Sequence, residues 1–103
     1  MPDVYHIRLS RRVAQQLEEI FDFIAADSPE NASAFIDQIL KAIEGLKIFP
    51  QRQKIHRRAS TGRPVRQLPV GNYVVFFEVQ LEEAVVLILR VSHGARRRPE
   101  PME

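Results

Sequence analysis

The chain has 103 residues, 45% of them hydrophobic and 27% charged, with no cysteine. That is one domain with material for a single core. It excludes a disordered chain, a disulfide scaffold, a thiolate metal site and a cysteine nucleophile. The net charge of +2 hides an uneven distribution. Residues 1–50 carry five Lys and Arg against eight Asp and Glu, whereas residues 51–98 carry ten against three. A basic second half points to an anionic partner, either nucleic acid or an acidic peptide. No apolar run has the roughly 18 residues of a membrane span. The start of the chain has neither the basic beginning nor the apolar stretch of a signal peptide. A reducing, cytoplasmic setting is expected.

Taken in order, Val4–Leu9 alternates, with Tyr5, Ile7 and Leu9 on one side, and predicts a short strand. Ser10 can cap a helix in which Val13, Leu17, Ile20 and Ile24 form an apolar stripe ending near Asp27. Ser28-Pro29 starts a second helix, whose stripe runs Ala32, Phe35, Ile36, Ile39, Leu40, Ile43 and Leu46 until Pro50 stops it. The short break between them predicts a helical hairpin. Gln51–Pro64 has five basic residues, no acid and Ile55 as its one large aliphatic residue, and reads as an exposed loop.

Val65–Leu68 reads as a short strand that Pro69 confines to an edge or a strand end. Gly71-Asn72 is a turn signal. Tyr73–Gln80 and Ala84–Ser92 read as a hairpin across Leu81-Glu82-Glu83. The predicted fold is α+β, in the order β-α-α-β-β-β: an N-terminal strand, a helical hairpin, then a three-stranded antiparallel meander. Residues 1–98 form the single domain, and 99–103 a flexible tail. The last two strands carry apolar residues on both faces. Tyr73, Val75, Phe77 and Val79 alternate with Val74 and Phe76, and Leu87, Leu89 and Val91 alternate with Val86 and Ile88. Two helices can cover only one face, so the other is expected to meet a partner chain or the chain's own loop and tail.

His6, His56 and His93 lack the paired spacing of a zinc site, and the four glycines form no phosphate loop, so no metal or cofactor is expected. The basic residues carry more information. Twelve of fifteen are Arg, whose planar fork grips phosphate or carboxylate in two places. Arg57, Arg58, Arg63 and Arg66 form one group, and Arg90, Arg96, Arg97 and Arg98 another. A hairpin from Tyr73 to Ser92 is expected to bring the two groups to one edge of the sheet. His93, at a strand end, reads as a hydrogen-bonded turn residue, with a general base as the alternative.

Leu9-Ser10, Ala14, Leu17, Ile20, Phe23-Ile24, Ala32, Phe35 and Leu46 to Pro50 resemble the first half of ParE-type toxins of the RelE/ParE superfamily. Arg66, Tyr73, Phe76 and the ending Ile88-Leu89-Arg90-Val91-Ser92-His93-Gly94-Ala95-Arg96 extend the resemblance over residues 4–96. One departure lies just after Pro50. Gln51-Arg52-Gln53 stands where a glycine is often found, which implies a loop of different shape.

The resemblance implies the toxin of a bacterial type II toxin–antitoxin system, poisoning DNA gyrase by binding rather than by its own catalysis. It implies a ParD-like antitoxin; the two-sided apolar strands give its expected place, on Val74, Phe76, Val86 and Ile88 or in the outer groove of the helical hairpin. The target-facing residues are expected to be Arg57, Arg58, Arg63, Arg66, Arg96, Arg97 and Arg98. The alternative is a RelE-like endoribonuclease that cuts mRNA on the ribosome, with Arg90, His93 and Arg96 as its catalytic set. A third reading is an inactive module of the same fold that only binds a partner.

Overall fold

The computed structural model describes residues 4–59 and 62–94. β1 (His6–Leu9) leads into α1 (Arg11–Ala25) and α2 (Pro29–Glu44). Two 3₁₀ turns, Gly45–Lys47 and Pro50–Arg52, connect to β2 (Ile55–Arg58), β3 (Pro64–Val70), β4 (Tyr73–Gln80) and β5 (Val85–His93). The five strands form one sheet in the order β1-β5-β4-β3-β2. β2 to β5 are antiparallel neighbours, while β1 joins β5 in parallel, His6 opposite Val85 and Leu9 opposite Ile88.

Both helices start as their sequence dictates. Ser10 and Ser28 sit in extended backbone and accept from the N–H groups of Val13 and Asn31, satisfying donors that a first helical turn leaves unpaired. The Ser10 hydroxyl also donates to the Leu89 carbonyl at 3.3 Å, so the cap ties α1 to the sheet. The apolar stripes of the hairpin meet one sheet face. There Val13, Ile20, Ile39 and Ile43 pack with Val75, Phe77, Val86, Ile88 and Val91.

Gln51–Pro64 is not all loop. Ile55–Arg58 forms β2, with Ile55 opposite Arg66 and Arg57 opposite Val65. The register slips at His56, so the segment lacks the alternation by which a strand is read from sequence. Backbone pairing holds it, including Gln67 N–H to Lys54 C=O at 2.9 Å. β3 is longer than Val65–Leu68 and lies inside the sheet. Pro69 fits because the N–H of Gln67, two residues earlier, already points to the β2 side. Pro69 therefore faces that same side beyond the end of β2, where a missing donor costs nothing.

A second slip reshapes β5. Phe76 faces Arg90 and Phe77 faces Ile88, leaving Leu89 as the extra residue. Val86, Ile88 and Val91 thereby all reach the helix side. Leu89 instead joins Phe76, Val65, Val74 and Ala59 in a small cluster on the open side. Leu87, Leu89 and Val91 thus do not share a face as strict alternation predicts, because a bulge shifts everything beyond it by one residue.

Candidate functional site

The sheet face away from the helices is the candidate site. At its centre Phe76 is 3% exposed, and the His56 ring lies 4.8 Å from it in a tilted pair. Covering this side chain with β2 and Val65 removes apolar surface from water, worth about 2 kcal/mol. Beside the cluster stands Glu78, the only acid in any described strand. It accepts from Arg63 at 3.4 Å and from the Gln80 amide at 3.1 Å.

The expected antitoxin set is not one surface. Val86 and Ile88 are fully buried under the helices and Phe76 is buried on the opposite face, while Val74 is half-buried beside Phe76. The hairpin register and the added strand β2 are the cause. The first pairs Val86 with Val79 and Ile88 with Phe77 on the helix face, and the second brings His56 and Ala59 against Phe76 on the open face.

Of the two basic groups, the described members lie apart: Arg57 and Arg58 are on the edge strand β2 and Arg66 on β3, whereas Arg90 is on β5. β2 closes one side of the sheet, and β5 lies three strands away, about 14 Å at normal strand spacing. The hairpin does bring the ends of β4 and β5 together, but β3 and β2 then continue outward from β4.

Within the first group the arginines already have local work. Arg66 donates from Nη1 to the carbonyls of Gln51 and Gln53, at 2.9 and 2.8 Å. It clasps the turn in which Gln51-Arg52-Gln53 replaces the expected glycine. Arg58 reaches the Gly62 carbonyl at 3.2 Å, and Arg57 is partly buried. Sequence reasoning missed the clasp, although turn carbonyls two residues apart, near a partly buried strand arginine, are its natural partners. Arg96, Arg97 and Arg98 lie outside the described residues, as does the tail 99–103.

Arg90 and His93 both line a shallow cleft of about 510 Å³ between α1 and the end of β5. Gln16, Glu19 and Phe23 of α1 and Tyr73 of β4 are also in its wall. Arg90 Nε donates to Ser92 Oγ at 2.9 Å. The His93 ring meets Tyr73 edge-on at 4.9 Å, and Tyr73 stacks obliquely on Phe35 at 5.4 Å. This edge of β5 extends past the end of β1, and Gln16 Oε1 accepts the Val91 N–H there at 2.7 Å. Arg96, the third member of the expected catalytic set, is outside the described residues. Among the described residues no three His, Asp or Glu side chains lie close enough together to hold a metal ion. None of the described helices is long and apolar enough to cross a membrane.

A helical hairpin laid on one face of this five-stranded sheet is the fold of toxins from toxin–antitoxin complexes. The chain is similar to a structure of the chromosomal ParDE system from P. aeruginosa, at TM-score 0.70 and 21% identity, covering 89% of this chain and 98% of that one. It is also similar to the RelBE2 complex from Mycobacterium tuberculosis, at 0.65 and 20%, covering 90% and 94%. The archaeal RelE–RelB complex from Pyrococcus horikoshii OT3 matches at 0.64 and 17%, over 91% and 99%. No curated protein sequence matches significantly. The family model described as the ParE toxin of the type II toxin–antitoxin system parDE matches residues 7–98, and the chain belongs to that family. It is therefore a toxin of type II toxin–antitoxin character with an antitoxin as partner.

Proposed function

We propose that the chain is a gyrase-directed toxin that acts in the cytoplasm by binding, without bond-breaking chemistry of its own, and is neutralised by a ParD-like antitoxin. The observation that carries this reading is the match to the ParE family over nearly the whole folded chain. The charge of the sheet supports it. Its described strands carry Arg8, Arg57, Arg58, Arg66 and Arg90 against the single acid Glu78, a net positive layer suited to a DNA-bound or acidic target. Arg57 and Arg58, with Arg96, Arg97 and Arg98, are the proposed target-facing residues, whereas Arg66 and Arg63 act first as structural ties.

Induced expression in bacteria tests the reading. The expected outcome is growth arrest with gyrase-linked DNA breaks and intact mRNA. Arrest with cleaved ribosome-bound mRNA would replace it by the ribonuclease reading. That second reading is favoured by one observation, the shared cleft of Arg90 and His93 on β5. His93→Ala separates the two. It leaves toxicity in a binder, but lowers the rate of an enzyme by about 10²–10⁴-fold if His93 is the base. Expression without arrest would leave the inactive partner-binding module.

A further inference from the structure

Phe49 adopts φ 48° and ψ 58°, the left-handed region, which is a true outlier for a bulky side chain. The next residue, Pro50, is fully buried and pins the chain there. Its ring also disfavours the right-handed helical conformation in the residue before it. The outcome is two adjacent apolar side chains facing water, Ile48 at 66% exposure and Phe49 at 56%. The fold does not need them there, since Leu46 and Pro50 already close the core on either side.

The strand that follows is equally unfinished. β2 is the last strand of the sheet, with no neighbour on its outer side among the described residues. Its first residue, Ile55, is also exposed. From Gly45 to Phe77 the chain carries seven Lys and Arg and no Asp or Glu. Arg52 and Lys54 are exposed, and neither has an ion-pair partner among the described residues.

We propose that the segment Ile48–Arg58 is a docking edge for an extended acidic peptide. The peptide adds as a further strand beside β2, its carboxylates meet Arg52 and Lys54, and its apolar side chains meet Ile48, Phe49 and Ile55. Three features select this occupant. A free strand edge offers alternating N–H and C=O groups, which only another peptide backbone matches. Three exposed apolar side chains within eight residues favour an apolar partner over a phosphate chain. The uniform positive charge rejects a second copy of this edge, since two basic edges repel each other whereas an acidic strand does not. The proposal rests on this surface and not on the choice of gyrase as target.

The test uses the full chain and a short fluorescent peptide alternating Glu and Val. The controls are the Lys and Val counterpart and a single-stranded oligonucleotide. The acidic peptide is expected to bind and to slow amide exchange in β2. Arg52→Glu with Lys54→Glu should weaken binding at least about tenfold. Phe49→Gly should also weaken it while keeping or raising the melting temperature, because glycine takes a positive φ without penalty. Absence of binding by the acidic peptide overturns the proposal, as does protection confined to β5. An oligonucleotide that binds more tightly than the peptide, with no response to Phe49→Gly, assigns the edge to nucleic acid instead.

Discussion

The helix layer and the sheet layer share one apolar core, yet they carry opposite charge. α1 and α2 hold six acids and three cations; the five strands hold five arginines and one acid. The helices manage their charge by sequence-local pairs in water, such as Asp37 with Lys41 at 3.3 Å and Glu44 with Lys47 at 2.6 Å. Such exposed pairs contribute little to stability. The sheet layer uses its cations over longer distances. Arg66 holds a turn across 15 and 13 residues of chain, and Arg63 reaches Glu78 on the next strand but one in sequence. Charge on the helices is thus a solvated coat. Charge on the sheet is partly built into the fold, and what is left over faces outward.

Substitutions that strike one layer at a time sharpen this contrast. Phe77→Ala, on the helix side, should be the most damaging, at about 4–5 kcal/mol, because the side chain is fully buried in the larger cluster. Phe76→Ala, on the open side, should cost about 3 kcal/mol, since its small cluster can collapse or admit water. Urea midpoints of the two variants measure the difference, and equal losses would show that the open-side cluster is as rigid as the main core.

Arg66→Ala should cost about 2 kcal/mol by leaving two turn carbonyls without their donor. Amide exchange should quicken first in residues 50–55, ahead of the helices. A uniform change would mean that the arginine contributes only to general stability. The smallest effect belongs to the helix caps. Ser28→Ala should cost about 1 kcal/mol. Ser10→Ala should cost somewhat more, because its hydroxyl also holds the Leu89 carbonyl. Thermal melts of the two variants compare a cap that only starts a helix with one that also joins the layers.

Much of this architecture is legible in the residues themselves. The 3.6-residue stripes, the two serine caps and the Gly71-Asn72 turn place both helices and the β3–β4 connection, because each is a local decision. What escapes is non-local. β2 has no apolar alternation and forms only because β3 offers it a backbone to pair with. The bulge at Leu89 leaves no mark in composition, yet it decides which side of the sheet receives Val91. The expected antitoxin residues Val86 and Ile88 lie under the helices because the hairpin pairs them with Val79 and Phe77, a register fixed by where the turn begins and ends. A face assigned by counting alternate residues holds only up to the first irregularity. The arginine-rich stretch is visible at once, but the division between structural ties and outward charge depends on carbonyls that no sequence pattern displays.

The parallel seam between β1 and β5 joins the first strand of the chain to the last, with Ser10 and Leu89 bonded across 79 positions. During synthesis β1 emerges early and has no strand to pair with until β5 has been made. The helical hairpin can form from local contacts in the meantime, but the sheet it must cover is still incomplete. Contacts of such long sequence separation slow folding relative to a chain of the same size built from local contacts. They also leave the Val13 and Ile20 stripe of α1 without its covering strand for most of the time the chain is growing.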